Sequence, residues 1–483
     1  MKYISTRSRS GTSAAGQTGS DRDGSASSLD FSDVLLAGLA RDGGLYVPHS
    51  WPAFSRAELE AMVGLSYAEL AVKVLLPFVG DCLSEDELSD LAKRTYAKFD
   101  EGVAPLKELS PGLHLLELFH GPTLAFKDYA MQFLGELFDH VLTKRGERIT
   151  IVGATSGDTG AAAVDALADR RAIDVFMLHP KGRVSEVQRR QMTTQTAANV
   201  HNIAIEGTFD DCQDLVKAMF NDAAFRDRHN LSAVNSINWA RVAAQVVYYF
   251  WAGLQLGAPA RPVSFSVPTG NFGNVFAGYC AMKMGLPTEQ LIIGSNANDI
   301  LPRFFETGTM QMDGVVPTIS PSMDIQVSSN FERLLFEMEG RDGEKVAATM
   351  KHFRETGAFS VSPDQWDGTR AVFDGFRQSD AETMATIDRI AKQTGEVLDP
   401  HSAIGVEAGL ARRKGTETPV ICLATAHPAK FPDAVEEACG SRPQLPPRMS
   451  DLYDRPERFD VLPNSLEVVM SHIDAHPKGA AAA

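Results

Sequence analysis

One lysine of this chain sits where an amine can become reactive. In HGPTLAFKDYAMQFLGELF, residues 120–138, Lys127 stands between Phe126 and Asp128, just after Gly121, Pro122 and Thr123. Phe126, Ala130, Phe133, Leu134, Leu137, Phe138 and Val141 recur at three- and four-residue steps, which predicts one buried helix face. Pro122 and Thr123 suit the start of that helix. Lys127 then falls in or near the first turn, where the macrodipole is positive. Dipole and apolar neighbours both lower its pKa from about 10.4, and a neutral lysine attacks a carbonyl to form a Schiff base. The competing reading, since lysine is rarely buried, is a side chain that reaches solvent or pairs with Asp128.

Three glycine-containing or polar loops follow apolar runs. In GATSGDTGAAA, residues 153–163, hydroxyls of Thr155, Ser156 and Thr159 join amides at a helix start, which suits a carboxylate or phosphate. A tight turn with an N-cap explains any one of these residues equally well. In VPTGNFGNVFAG, residues 267–278, Gly270, Asn271, Phe272, Gly273 and Asn274 offer backbone and side-chain amides to one phosphate, with no lysine or arginine. Neutral donors suit a phosphate that is held permanently. In CLATAHPAKFP, residues 422–432, Thr425 just past a strand offers a hydroxyl to a ring nitrogen without imposing a charge, the alternative being an N-cap. A fourth cluster, NSINWARVAAQ, opens a helix with Ser236, Asn238 and Arg241. Its arginine either pairs with a substrate anion or lies on the surface.

These loops need a scaffold, and the pattern supplies one. RITIVG, IDVFMLHP, VHNIAIEG, VSFSVPTG, QLIIGSN and PVICLATAHP read as strands, the first three separated by helical runs. Alternation of this kind implies parallel sheets covered on both faces, with ligands at the carboxyl ends of the strands. Before them, residues 31–100 read as helices, with capping boxes at Ser55–Glu58 and Ser84–Glu87 and a helix from Tyr67 to Val79. MKYISTR reads as a short opening strand, and the Ser/Gly/Ala-rich stretch 8–28 as a disordered insertion.

Composition bounds the partners. The 483 residues carry 62 Asp plus Glu against 46 Lys plus Arg, a net charge of −16, which argues against nucleic-acid binding. Five scattered cysteines lack zinc spacing and suggest a reducing, cytoplasmic setting without a metal site. No apolar run is long enough to span a bilayer.

A Schiff-base lysine, a neutral phosphate cradle, an anion loop and a hydroxyl for a ring nitrogen are together what a pyridoxal-phosphate enzyme needs. HGPTLAFKD, ATSGDTG, SINWAR and GNFGN, with YISTR and GLARDGGLYVP, resemble the long-chain bacterial and fungal threonine synthases. The resemblance implies an α/β, tryptophan-synthase-β-like (fold type II) architecture of two open twisted sheets, with a mainly helical N-terminal domain over 1–105 and a catalytic module over 106–483. It implies pyridoxal 5′-phosphate on Lys127, its phosphate on Gly270 to Asn274, and its ring nitrogen on Thr425. It assigns a substrate anion to Thr155, Ser156 and Thr159 with Ser236, Asn238 and Arg241. The implied reaction turns O-phospho-L-homoserine and water into L-threonine and phosphate, in a monomer or homodimer. Asp158 departs from the asparagine that many relatives of this fold carry beside the cofactor's phenolic oxygen. An ionised aspartate would repel that oxygen, so it is expected to face elsewhere or to be protonated. The rival readings are another lyase of this fold, such as a serine/threonine dehydratase, cysteine synthase or phospho-lyase, and a non-catalytic binder of phosphorylated metabolites.

Overall fold

The computed structural model describes residues 1–8, 28–100 and 102–476. The expected insertion at 8–28 therefore lies, apart from its two end residues, outside the described residues. Two open sheets carry the fold. One has six strands in the order Phe373–Arg377, Thr288–Ser295, Val263–Pro268, Val420–Ala424, Leu113–Glu117 and Leu106–Ser110. Its neighbours pair in parallel, except for the antiparallel Leu106–Ser110 edge. The other runs Asp460–Pro463, Val200–Glu206, Ile173–Pro180, Ile149–Ala154 and Leu231–Ser232, parallel throughout. Every residue of Ile173–Pro180, Val263–Pro268 and Val420–Ala424 is buried, as apolar runs covered by helices on both faces must be.

The Lys127–Arg145 helix packs among other helices. It is buried on nearly all sides, not on one face: Tyr129, Met131, Gln132 and Glu136 are inside with the expected residues. Helices Glu85–Tyr96, Asp158–Leu167 and Trp239–Gln255 all pack on it. At Gly135 a β-carbon would stand 2.4 Å from the Ala166 carbonyl oxygen, so this close helix crossing admits only glycine.

The N-terminal helices form as local signals dictate. Capping boxes close at Ser55, Ser66 and Ser84, each hydroxyl accepting from the backbone amide of a glutamate three residues on. Tyr3–Ser5 pairs antiparallel with Tyr46–Pro48. This segment shares one apolar core with the rest of the chain: Tyr3 packs on Trp239 with centroids 6.0 Å apart, and Tyr67 on Trp251 at 5.4 Å. Arg7 donates twice to Glu332, at 2.9 and 2.6 Å, which stitches the first strand to the Phe331–Met338 helix.

Candidate active site

The carboxyl ends of the parallel strands converge on one cleft. It is lined by Phe126, Lys127, Asp158, Thr159, Ser236, Arg241, Gln245, the 268–274 loop, Ser322, Met323, His401, Thr425 and Ala426. The three loops singled out above leave Ile149–Ala154, Val263–Pro268 and Val420–Ala424 at those ends.

Lys127 is the first residue of its helix. The helix begins later than Pro122 and Thr123 suggest, because those residues build a turn that aims it. The Thr123 amide and hydroxyl both donate to Asp128, at 2.8 and 2.5 Å. Leu124 takes a positive φ of 64°. Ala125 bridges Ala426, and the Phe126 amide donates to the Thr425 carbonyl at 2.9 Å. Backbone bonds thus clamp the lysine to the loop carrying Thr425. Asp128 is not its ion partner. Lys127 Nζ instead lies 3.1 Å from Oδ2 of Asp158. Burial holds the amine below its ordinary pKa, against the opposing pull of Asp158.

Asp158 lines the cleft beside Lys127. Its side chain is buried, and its Oδ1 accepts from Gln188 Nε2 at 2.8 Å and lies 3.0 Å from Nζ of Lys430. Burial favours its protonated form, yet the two lysine charges outweigh burial and hold its pKa well below the carboxylate range. Lys430 lies within the third loop. Nothing local in the sequence marks it, because its partners come from three other segments.

The second loop is shaped from outside. The Gly270 carbonyl accepts from Ser328 Oγ at 2.7 Å, and the Asn271 carbonyl from the amide and the Nδ2 of Asn330 at 3.1 and 2.9 Å. With carbonyls turned outward, the amides of residues 270–274 donate to no carbonyl among the described residues and crown the Gly273–Lys283 helix. Phe272 takes a φ of 62° and sinks its ring among Phe305, Phe331 and Phe373, anchoring the turn. Asn274 Oδ1 accepts from Tyr248 at 2.6 Å and Tyr249 at 2.9 Å, which leaves its Nδ2 a buried donor without a partner.

The substrate-anion residues divide. Arg241 is 3% exposed; Nη1 donates to the Val234 carbonyl at 2.8 Å, and Nε has no partner. No carboxylate balances it among the described residues, and burial pulls its pKa down to about 10. Thr159 and Ser236 line the cleft with it. Thr155 and Asn238 do not. The Thr155 hydroxyl accepts from the Gly157 and Gly160 amides, both at 2.9 Å. Asn238 caps the Trp239–Gln255 helix by accepting from the Ala240 amide, and donates to the Leu35 carbonyl. Both residues shape their loops; for Thr155 this is the tight-turn alternative, while no such alternative was offered by the sequence for Asn238. Ser156 is exposed and outside the lining.

Thr425 lies in the wall at 5% exposure. Its amide donates to Ser402 Oγ at 3.0 Å. His401, which the sequence did not flag, is fixed between the Asp399 carboxylate, 2.8 Å from Nδ1, and the Ser322 amide, which donates to Nε2 at 3.2 Å.

Known proteins resemble this chain over nearly its whole length. Family models described as "Threonine synthase N terminus", "Pyridoxal-phosphate dependent enzyme" and "Threonine synthase, C-terminal" match residues 19–96, 100–363 and 402–473. The chain is 52% identical to the threonine synthase of Pseudomonas aeruginosa over 478 residues, covering 99% of this chain and 98% of that one. A crystal structure of PLP-bound threonine synthase from Brucella melitensis superposes with a TM-score of 0.93 at 53% identity, covering 99% of each chain. The yeast threonine synthase structure gives 0.90 at 38%, covering 98% of each.

Proposed function

This chain belongs to the threonine synthase family, and from that premise we propose how its own residues carry the reaction. It is a pyridoxal-phosphate-dependent lyase that converts O-phospho-L-homoserine and water into L-threonine and phosphate. The observation that carries the assignment of residues is a largely buried amine, Lys127, in a cleft whose lining also includes two unpartnered donors, Asn274 Nδ2 and Arg241 Nε.

The residues fit the cofactor. A phosphate needs several convergent donors, and the 270–274 amides with Asn274 Nδ2 provide them at a helix N-terminus. A β-carbon on Gly270 would come within 2.8 Å of the Ser322 carbonyl oxygen, so the loop passes where only glycine fits. Lys127 would hold the cofactor's aldehyde carbon, Gly270 to Asn274 its phosphate, and Thr425 its ring nitrogen. When bound, pyridoxal phosphate supplies the electron sink that lets protons leave carbons near the substrate's amino group.

The rest is done by side chains. Arg241, aided by Ser236, receives one substrate anion, and the 153–159 loop with Thr159 the other. Lys127, once released, takes the proton from Cα as a neutral base, and the second proton passes from Cβ to the phosphate that departs from Cγ. Water adds at Cβ, and Lys127 returns protons at Cγ and Cα. The Asp158 carboxylate keeps the amine within reach between these transfers. Thr155 and Asn238 act by holding their loops.

We assign the chain to a cytoplasmic setting, as a monomer or homodimer, with residues 1–105 and 106–483 as its two parts. Five free cysteines and the negative net charge support the setting and the absence of a nucleic-acid partner. No helix among the described residues is long and apolar enough to cross a membrane.

The deciding experiment measures phosphate and threonine from O-phospho-L-homoserine with protein loaded with pyridoxal phosphate. Equal yields are expected, with both products and the bound-cofactor absorption lost in Lys127→Ala. Phosphate without threonine would make the chain a phospho-lyase that fails to hydrate its product.

A further inference from the structure

Two lysine amines share one carboxylate beside the cleft. Asp158 Oδ2 is 3.1 Å from Lys127 Nζ and Oδ1 is 3.0 Å from Lys430 Nζ. Lys430 is fully buried, and its other N–H bonds are also used: Nζ donates to the Thr123 carbonyl at 2.7 Å and to Gln191 Oε1 at 2.9 Å. An ammonium has three donors, so this one is pinned in place. Asp158 is held as firmly, by Gln188 Nε2 at 2.8 Å and by the Ser322 hydroxyl at 3.2 Å. A buried ion pair gives little net stability over an apolar substitute. This one, however, abuts the reactive amine.

Resting on the reading of Lys127 as the cofactor lysine, we propose that Lys430 is a positioning residue. It balances the Asp158 carboxylate, so that Lys127 is hydrogen-bonded by a neutral pair and not captured by a bare anion. The charges that face Lys127 are Asp158, Lys430 and Arg241, and His401 faces Asp158. An opposite charge at this range favours the ammonium form, and a second cation opposes it. With Lys430 in place the carboxylate keeps the amine oriented yet leaves it free to take a proton. With the Lys127 nitrogen bound to the cofactor, Lys430 still neutralises Asp158, so the carboxylate that sequence reasoning marked as repulsive is tolerated.

The test reads the ionisation of Lys127 in the apoprotein. The rate of appearance of the lysine–cofactor absorption after mixing with pyridoxal phosphate is followed from pH 6 to 10, and its midpoint reports the amine. Lys430→Met is expected to move the midpoint up by about one unit, roughly tenfold slower loading on the acid side. Lys430→Arg should stay near the parent. Asp158→Asn should move the midpoint down, and the Asp158→Asn/Lys430→Met pair should return it towards the parent, which a merely structural role would not do. An unmoved midpoint in Lys430→Met, or an equal shift in Lys430→Arg, overturns the proposal. Should Lys430→Met not fold, an unmoved Asp158→Asn midpoint overturns it. Formation of the absorption by Lys127→Ala would overturn the underlying assignment instead, and the proposal with it.

Discussion

The Tyr248 hydroxyl lies 2.6 Å from Oδ1 of Asn274, and this contact decides which end of the amide faces the cleft. Tyr249 adds a second hydroxyl at 2.9 Å. Tyr249 shares its one proton with the Asn274 carbonyl at 2.8 Å, so Tyr248 is the main donor at the oxygen, and Nδ2 is left over as a buried donor. Tyr248→Phe keeps the ring but frees the amide to turn. Losing one neutral hydrogen bond of this kind costs about 1 kcal/mol, or roughly a fivefold rise in the Kd for pyridoxal phosphate. Equilibrium titration of the bound-cofactor absorption measures it, and an unchanged Kd would show that Nδ2 contributes nothing to cofactor binding.

Arg241 supplies the opposite kind of donor, a charge buried without a counter-ion among the described residues. Arg241→Met should lower kcat/KM for O-phospho-L-homoserine at least about a hundredfold, the value of a desolvated charge-assisted bond near 3 kcal/mol. The thermal midpoint of the apoprotein should not fall, because an unbalanced buried cation is removed. If the Kd for pyridoxal phosphate rises as much as kcat/KM falls, the guanidinium serves the cofactor and not the substrate.

Local signals made part of this legible in sequence. The capping boxes at Ser55 and Ser84 and the strand Ile173–Pro180 are set by residues within a few positions of one another, and they form as read. The loops after three apolar strands were legible for the same reason, since parallel strands bring their carboxyl ends together. Partners were not legible. Asp128 is adjacent to Lys127 in sequence but turns to Thr123, while the actual partner, Asp158, is 31 positions away. Thr155 and Asn238 have the right chemistry for a ligand, yet backbone amides claim their oxygens first. The short strands Leu231–Ser232 and Leu106–Ser110 carry too few apolar residues to announce themselves, and they exist because a sheet edge receives them.

The first strand is tied down by one carboxylate. Glu332, 4% exposed, accepts from Arg7 Nε and Nη2 and from the Thr6 hydroxyl at 2.6 Å. Removing one partner of such a buried network leaves the other uncompensated, at about 3 kcal/mol. Glu332→Ala is therefore expected to lower the thermal midpoint by several degrees and to speed proteolysis between residues 1 and 30. A protease pattern identical to the parent's would show that the strand is held by its pairing with Tyr46–Pro48 and the packing of Tyr3, without Glu332.

Asp128 gives the fold a pH dependence of its own. It is buried with no cation paired to it among the described residues, and it accepts only from the Thr123 amide and hydroxyl and, at 3.5 Å, from the Ala125 amide. Burial pushes its carboxyl up to about 7 despite the Thr123 bonds. The folded chain thus keeps a proton that the unfolded chain releases above about pH 4. The resulting stability is full below that pH and is lost as pH rises through 7, roughly 4 kcal/mol in all if the shift is complete. Asp128→Asn carries the N–H at every pH: its Oδ1 can accept from the Thr123 amide, and its Nδ2 can donate to the Thr123 hydroxyl. Its thermal midpoint should gain on the parent's from pH 5 to 7.5 and then run parallel to it. Parallel profiles over the whole range would mean that Asp128 is already ionised in the fold at pH 5, with the Thr123 bonds outweighing burial.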